Sequence, residues 1–413
     1  MESKKIEEPK EGKKEKKKQK DNKKNKMILD KKLCEKCHQN PSKIYNRNKF
    51  LCLNCFDNII IHKFKSNLRT SCKIRQEDYL LVCISGGNFS MSMLELFRES
   101  FNDSNSKRKL FFKIKILYID DSIFLKDKEK VINERQKRKQ FIENKLNEYK
   151  FDYEILYLEK VMNLNNEDFK VKEKNDYDNI LMDKFFKIFE NIPNEGGFRT
   201  KFIQICINNL IFSYALKNNF TKIVFGNNGQ GLVRQSFFNI ITGNGKDIKH
   251  NITQLDNTYL NGKILIYRPL QDFFDKEISY FNHYHKVDII YPVYKDDNLT
   301  KILSAFFGKL QYEKLNTVPS VINTAEKVVL YKNKSICKFC ISYFDTNMNN
   351  LEFGFDSPLN NEECILNKDL CYGCRRMFTN IIQDFFHDEN KKKSDILINE
   401  ILNLFKCLLQ DLK

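Results

Sequence analysis

Five short apolar segments punctuate residues 76–300: Tyr79–Ile84, Phe111–Ile119, Phe151–Leu158, Thr221–Gly226 and Lys263–Tyr267. Each has the length of a β-strand, and the stretches between them carry helical patterns. The clearest is Arg199–Lys217, where Phe202, Ile205, Cys206, Leu210 and Ser213 recur at three- and four-residue steps. Strands that alternate with helices at a spacing of roughly 30 residues need right-handed crossovers, which predicts a parallel, doubly wound α/β sheet. The polar stretches 122–150 and 160–195 read as surface excursions, partly helical.

The first strand runs into a glycine turn and then an amphipathic helix, "LLVCISGGNFSMSMLELF", residues 80–97. Ser85, Gly86, Gly87, Asn88, Phe89 and Ser90 form the turn. Two glycines let the backbone approach an anion, and the free N–H groups at the helix start face it. The Walker pattern GxxxxGK[ST] is absent; the arrangement is SGGxxS. An acidic side chain at position 89 would hold Mg2+ against a pyrophosphate, and Phe89 cannot. The cradle therefore keeps its shape without the charge that ATP chemistry needs.

Eight of the thirteen cysteines fall in four CxxC pairs. Cys34/Cys37 and Cys52/Cys55 are separated by 14 residues, and Cys337/Cys340 and Cys371/Cys374 by 30. Two knuckles that face each other make a tetrahedral four-thiolate site suited to structural Zn2+, with no open position for catalysis. This predicts two zinc ions per chain. Pairs of this kind belong to reduced, intracellular thiols rather than disulfides. Cys83 and Cys206 lie in a strand and an apolar helix and read as small core residues.

Residues 1–32 hold fourteen lysines against seven acids, which is +7 of the chain's net +17, and almost nothing apolar. Such a tail cannot bury enough surface to offset its ordering entropy and is expected to be disordered. The remaining body is also basic, which favours a polyanionic partner such as RNA. No apolar run approaches the roughly 20 residues of a membrane span, and no secretory signal is visible. The expected organisation is a tail (1–32), a zinc module with a basic helix (33–75), the α/β domain (76–300), a helical connector (301–330) and a second zinc module with an amphipathic helix (331–413). Leu397, Ile401, Leu404, Phe405, Leu408 and Leu412 make that helix's apolar stripe.

Taken in order, "LCEKC…FLCLNCF" followed by "HKF", "SGGNFSMSM", "LYIDD" at 117–121, "IVFGNNGQGLVRQSFFNIITGNGKD" at 223–247, "YRPLQDFFDKEISYFNHY" at 267–284 and "LCYGCRR" at 370–376 resemble the cytoplasmic tRNA 2-thiolation protein 2 family. The resemblance covers nearly everything from Leu33 to about Asn380. It implies a PP-loop fold (adenine nucleotide alpha hydrolase-like) and a subunit that pairs with a catalytic sister thiolase. That sister adenylates the 2-oxygen of the wobble uridine at position 34 of Lys, Glu and Gln tRNAs. Sulfur from the thiocarboxylated end of a ubiquitin-related modifier then replaces the oxygen. The resemblance further implies a cytoplasmic setting.

Three absences fit a non-catalytic partner in this chain. Phe89 stands where the active SGGxDS loop has an acid. The stretch "NIPNEGGFRTK" before the 199–217 helix has no thiol, and "GNNGQ" at 226–230 lacks an acidic pair. Candidate tRNA contacts are Lys63, Lys65 and Arg69; Arg199, Lys201 and Arg234; Lys246 in the "GNGK" turn; and Arg375 and Arg376. Two other readings remain open. In one the chain itself binds ATP and adenylates RNA, with Mg2+ on Asp120 or Asp121. In the other it is a zinc-stabilised assembly protein without RNA contact.

Overall fold

A computed structural model describes residues 32–102, 110, 112–164, 179–245, 248–295, 297–314, 316–328, 335–344 and 370–378. The lysine-rich tail and the 397–412 stripe lie outside these residues.

The N-terminal module is a hairpin, β1 (Ile44–Asn46) against β2 (Lys49–Leu51), followed by helix α1 (Leu53–Ser66). Arg47 and Asn48 at the hairpin tip have φ of 46° and 63°, as a two-residue turn of the primed type requires. Next comes β3 (Tyr79–Ile84), α2 (Asn88–Asn102), β4 (Lys113–Asp120), α3 (Lys128–Tyr149), β5 (Asp152–Tyr157), α4 (Asn179–Glu190), α5 (Phe198–Lys217), β6 (Lys222–Phe225) and α6 (Gly229–Ile241). A short helix α7 (Ile248–Ile252), β7 (Leu255–Asp256), β8 (Leu265–Tyr267) and α8 (Asp275–His285) complete the α/β body. Helices α9 (Asn298–Glu313) and α10 (Thr317–Glu326) follow. A second small hairpin, β9 (Ser335–Ile336) with β10 (Tyr343–Phe344), then leads to α11 (Tyr372–Met377).

The main sheet has six strands in the order β5-β4-β3-β6-β8-β7. The first five are parallel, with Val82 seated between Ile116 and Val224. All five predicted strands are present within a few residues, and the doubly wound α/β architecture holds. The edge strand β7 runs antiparallel to β8 and had no sequence signature at two residues long. Side chains alternate across the sheet as the pleat dictates. Leu81, Cys83, Leu117 and Ile223 enter one core, and Leu80, Val82, Ile116 and Val224 the other.

The two four-cysteine modules belong to opposite cores. Cys34 and Cys52 pack with Phe56, Phe64 and Phe97, whereas Cys337, Cys371 and Cys374 pack with Phe202 and Phe339. Helices α9 and α10 are more than a connector. Leu303, Phe307, Val318 and Ala325 close a third apolar cluster on Leu232, Val233 and Phe238 of α6.

Two stretches read as surface excursions are structural. Helix α3 buries Val131, Ile142 and Leu146, and with them Arg135 and Arg138. Helix α4 supplies Leu181, Met182, Phe185, Ile188 and Phe189 to the core. Charge density hid α3, because a helix of long polar side chains can still hold one buried stripe; α4, "NILMDKFFKIFE", is itself largely apolar.

His285 at the end of α8 joins the N-terminal module to the sheet. Its Nε2 lies 2.7 Å from Asp57 of α1 and its Nδ1 3.4 Å from Glu95 of α2. Burial opposes the charge, but the two carboxylates outweigh it and hold the imidazole pKa up at about 9. A folded-state pKa above the ordinary value of about 6.5 gives stability that is complete below that value and lost as pH rises through about 9. Urea unfolding between pH 6 and 9.5 should therefore show falling stability in the native chain. In His285→Gln that slope should be much reduced; an unchanged slope would refute this coupling.

Candidate functional site

The glycine turn sits at the carboxyl end of β3, where open α/β sheets bind ligands. Gly86 has φ of 78°, a conformation that favours glycine. Inside the turn, Ser90 Oγ donates to Gly87 O (3.0 Å), lies 3.2 Å from Ser85 Oγ and accepts from Ser85 N–H (3.2 Å). Gly226, at the end of β6, allows the neighbouring strand to abut the first turn of α2: a Cβ there would stand 2.9 Å from Ser90 Cα. The glycine turn is thus held by its own two serines at the sheet edge.

What surrounds it differs from an ATP site. The half-buried Phe89 packs against the core that holds α1, α2 and α8. Asn88 is held by α8, with its Oδ1 accepting from Asn282 Nδ2 at 2.5 Å. After α8 the chain returns across the sheet edge. Ile290 N–H donates to Gly86 O at 2.8 Å, and Ile290 Cβ occupies the space that a side chain at Gly86 would need. Farther along, Val293 N–H and Tyr294 N–H donate to Asp121 Oδ2 at 3.0 and 3.3 Å. Arg138 joins the strap to β4, pairing with Asp121 Oδ1 (2.7 Å) and donating to Tyr291 O (2.6 Å).

Asp120 is 1% exposed. Its Oδ1 accepts from the Ser122 backbone and hydroxyl and lies 3.6 Å from Arg135 Nε. Burial raises its pKa above the ordinary carboxylate range. Both carboxylates of "LYIDD" are thus engaged with arginines, a serine and the strap. The "GNNGQ" loop is likewise structural: Asn228 Oδ1 caps α6 by accepting from Gly231 N–H at 3.0 Å, and its Nδ2 donates to Asp275.

The cysteine pairs close as their spacing predicts. In each set the four sulfurs lie within 4.8 Å of one another, with Cys37–Cys52 at 3.9 Å and Cys340–Cys371 at 3.6 Å. Sulfurs about 2.3 Å from one tetrahedral zinc would be separated by about 3.8 Å, so both sets fit that ion. Four thiols this close cannot all ionise without a cation. Hydrogen bonds from Cys337, Cys340 and Cys374 hold Cys371 well below the usual thiol range. Cys340 is pushed well above it by its contact with Cys337, and Cys374 by burial. Asn244 Nδ2 donates to Cys371 Sγ (3.3 Å), an outer contact that orients a metal thiolate. Among the described residues neither Cys83 nor Cys206 belongs to a cluster, and burial raises both their pKa values.

The proposed tRNA cations are mostly tied into the fold. Lys63 donates to Asp272 O (2.7 Å) and pairs with Glu277 (3.2 Å). Lys65 is buried, and Lys201 is 8% exposed with its Nζ 2.5 Å from Asn239 Oδ1. Arg199 donates to the Ile192 and Glu190 carbonyls around the end of α4, and Arg234 to Ser304 of α9. Arg69 is exposed; Arg375 and Arg376 are half-buried, with Arg376 over the rings of Phe198 and Tyr372. The turn at 243–245 is docked on the second cysteine module, where Gly243 faces Tyr372 and Gly373. Lys246 lies outside the described residues.

Sheet order, the glycine turn after the central strand and the two flanking cysteine centres define a doubly wound α/β protein with two four-cysteine modules. No family model matches the chain. It is 24% identical over 341 residues to the cytoplasmic tRNA 2-thiolation protein 2 of Danio rerio, covering 71% of this chain and 67% of that one. The Drosophila mojavensis protein of that name is 24% identical over 333 residues, with 76% and 77% covered. The Xenopus tropicalis protein is 22% identical over 383 residues, with 76% and 73% covered. The resemblance read in the sequence is borne out: over about three quarters of its length the chain is similar to proteins of the name cytoplasmic tRNA 2-thiolation protein 2. Among solved structures it is similar to the U34-tRNA thiolase NcsA of Methanococcus maripaludis, determined with its 4Fe-4S cluster. That match has a TM-score of 0.48 and 15% identity, and covers 72% of this chain and 89% of that one. No helix among the described residues is long and apolar enough to cross a membrane.

Proposed function

We propose that this chain is a cytoplasmic, non-catalytic, tRNA-binding subunit in 2-thiolation of the wobble uridine of Lys, Glu and Gln tRNAs. It would form a heterodimer with a catalytic PP-loop thiolase that adenylates the uridine and takes sulfur from a thiocarboxylated ubiquitin-related modifier. Two structural zinc ions would hold its flanking modules, on Cys34, Cys37, Cys52 and Cys55, and on Cys337, Cys340, Cys371 and Cys374. The observation that carries the non-catalytic reading is the strap. It places Ile290 on Gly86 and ties Asp121 to backbone amides and Arg138, next to a turn whose position 89 is an apolar ring. A pyrophosphate leaving group needs a metal and open carboxylates at that edge. With such engagement, the chain's part is to hold tRNA and to complete the partner. Of the described basic positions assigned to RNA phosphates, Arg69 is exposed and Lys63, Arg199, Arg234, Arg375 and Arg376 are half-buried.

Calorimetric titration of the RNA-free full chain with MgATP tests this reading, alongside tRNA binding at two salt concentrations. Expected are no heat with ATP and tRNA binding that weakens steeply with salt. Stoichiometric ATP binding would instead favour a catalytically active, ATP-dependent tRNA-adenylating sulfurtransferase, and Asp120 and Asp121 would be the first residues to replace.

A further inference from the structure

Away from the glycine turn, a cavity of about 390 Å3 opens between the N-terminal hairpin and α10. That size lies within the small-ligand range of about 300–1,000 Å3. Its floor joins the first turn of α6 to the segment 271–274, both at the carboxyl side of the sheet. Neither the cysteine centres nor the anion turn contributes to it.

The lining chemistry is specific. Five carboxamides contribute: Gln230, Gln254, Gln271, Gln311 and Asn323. Each amide offers a donor and an acceptor side by side. The Gln254 Nε2 is buried with no hydrogen-bond partner among the described residues, a donor that costs free energy until something accepts from it. One wall is planar: the Arg47 guanidinium lies over the Phe274 ring, 4.9 Å from its centroid. Its plane is fixed, because Nε donates to Glu277 at 2.7 Å and Nη2 to Asp272 O at 3.1 Å. Helix α10 adds the apolar Val318, Pro319 and Ile322 to the lining, beside Asn323 and Glu326.

An anion does not suit this cavity. Arg47, the one cation among the described lining residues, is already paired with Glu277, and Asp272 and Glu326 add carboxylates to the lining. A purely apolar ligand would leave the Gln254 donor without an acceptor. A flat, neutral heterocycle with donors and acceptors on its rim satisfies both sets of walls, by stacking on the arginine–aromatic pair and hydrogen bonding to the amides.

We propose that this cavity takes one unpaired nucleobase, either splayed out of a bound RNA or presented as a free nucleoside. The RNA source rests on the tRNA reading above. Saturation-transfer NMR of the full chain with adenosine, guanosine, cytidine and uridine, and equilibrium binding of bulk tRNA, test it together. The variants are Gln254→Leu, which removes the unpartnered donor, and Asn323→Trp, which fills the cavity from the exposed face of α10; melting temperature is monitored for both. Expected is transfer to base protons of at least one nucleoside, lost in both variants, with tRNA affinity five- to tenfold weaker at unchanged melting temperature.

Nucleoside transfer lost in the variants with unchanged tRNA affinity would assign the cavity to free nucleosides. The same loss in a chain that binds no tRNA would leave the pocket standing and sink the function. No transfer, with tRNA bound equally by all three proteins, would overturn the pocket and leave the function standing.

Discussion

Cys371→Ser is expected to release one of two zinc ions and to uncouple the C-terminal module from the sheet. The Cys371 thiol is buried among three other sulfurs and accepts a hydrogen bond from Asn244. Around it, Gly373 abuts Asn244, Phe339 stacks on Phe202 with ring centroids 5.9 Å apart, and Asn209 donates to Phe339 O at 2.8 Å. A structural zinc contributes about 10–16 kcal/mol of apparent binding free energy in small metal-folded modules. Serine cannot replace a thiolate in that shell, so the variant should lose several kcal/mol of stability. Elemental analysis should give about two zinc per chain for the native protein, one for Cys371→Ser and two for Cys206→Ala, whose thiol is buried outside both four-cysteine sets. A native chain that folds with no zinc, or a variant that keeps both ions, would defeat the metal assignment.

Local chemistry is legible in the chain itself. A CxxC pair sets the direction of two thiolates on its own, so the four ligands of each centre follow from spacing. The strands are legible because each of the five parallel segments holds a short run of consecutive apolar residues, as in Leu80–Ile84 and Ile223–Phe225. Long-range engagement is not legible. Lys63 looks like a phosphate ligand, but its partners Asp272 and Glu277 lie more than 200 positions away. Asp121 looks like a strand-end carboxylate open to a metal, and nothing in "LYIDD" says that residues 293 and 294 return to cover it. Position 89 can be read as lacking charge, whereas the strap over Gly86 depends on where α8 ends. The base-sized cavity is of the same kind, since its walls come from the hairpin, α6, the 271–274 segment and α10.

Those two classes meet in α3, whose sequence "KEKVINERQKRKQFIENKLNEY" gives no warning that two of its arginines are buried. Arg135 has no exposed side-chain surface; it pairs with Glu159 at 2.7 Å, lies 3.6 Å from Asp120 and covers the Tyr157 ring at 4.4 Å. Burial raises the pKa of both carboxylates; Arg135 is the chief opposing influence on Glu159, and on Asp120 it acts behind the Ser122 hydrogen bonds. Arg135→Met should therefore cost about 3–5 kcal/mol in urea unfolding at pH 7.5, because it leaves buried carboxylate charge without its counterion. The loss should shrink at pH 5.5, since a carboxylate with a raised pKa protonates sooner and stops needing a partner. Removing both charges, as Arg135→Met with Glu159→Leu, should recover much of the loss. If the single variant costs under about 1 kcal/mol, the range of an exposed pair, the network does not hold β4, α3 and the segment after β5 together, and Asp120 is less constrained than its surroundings imply.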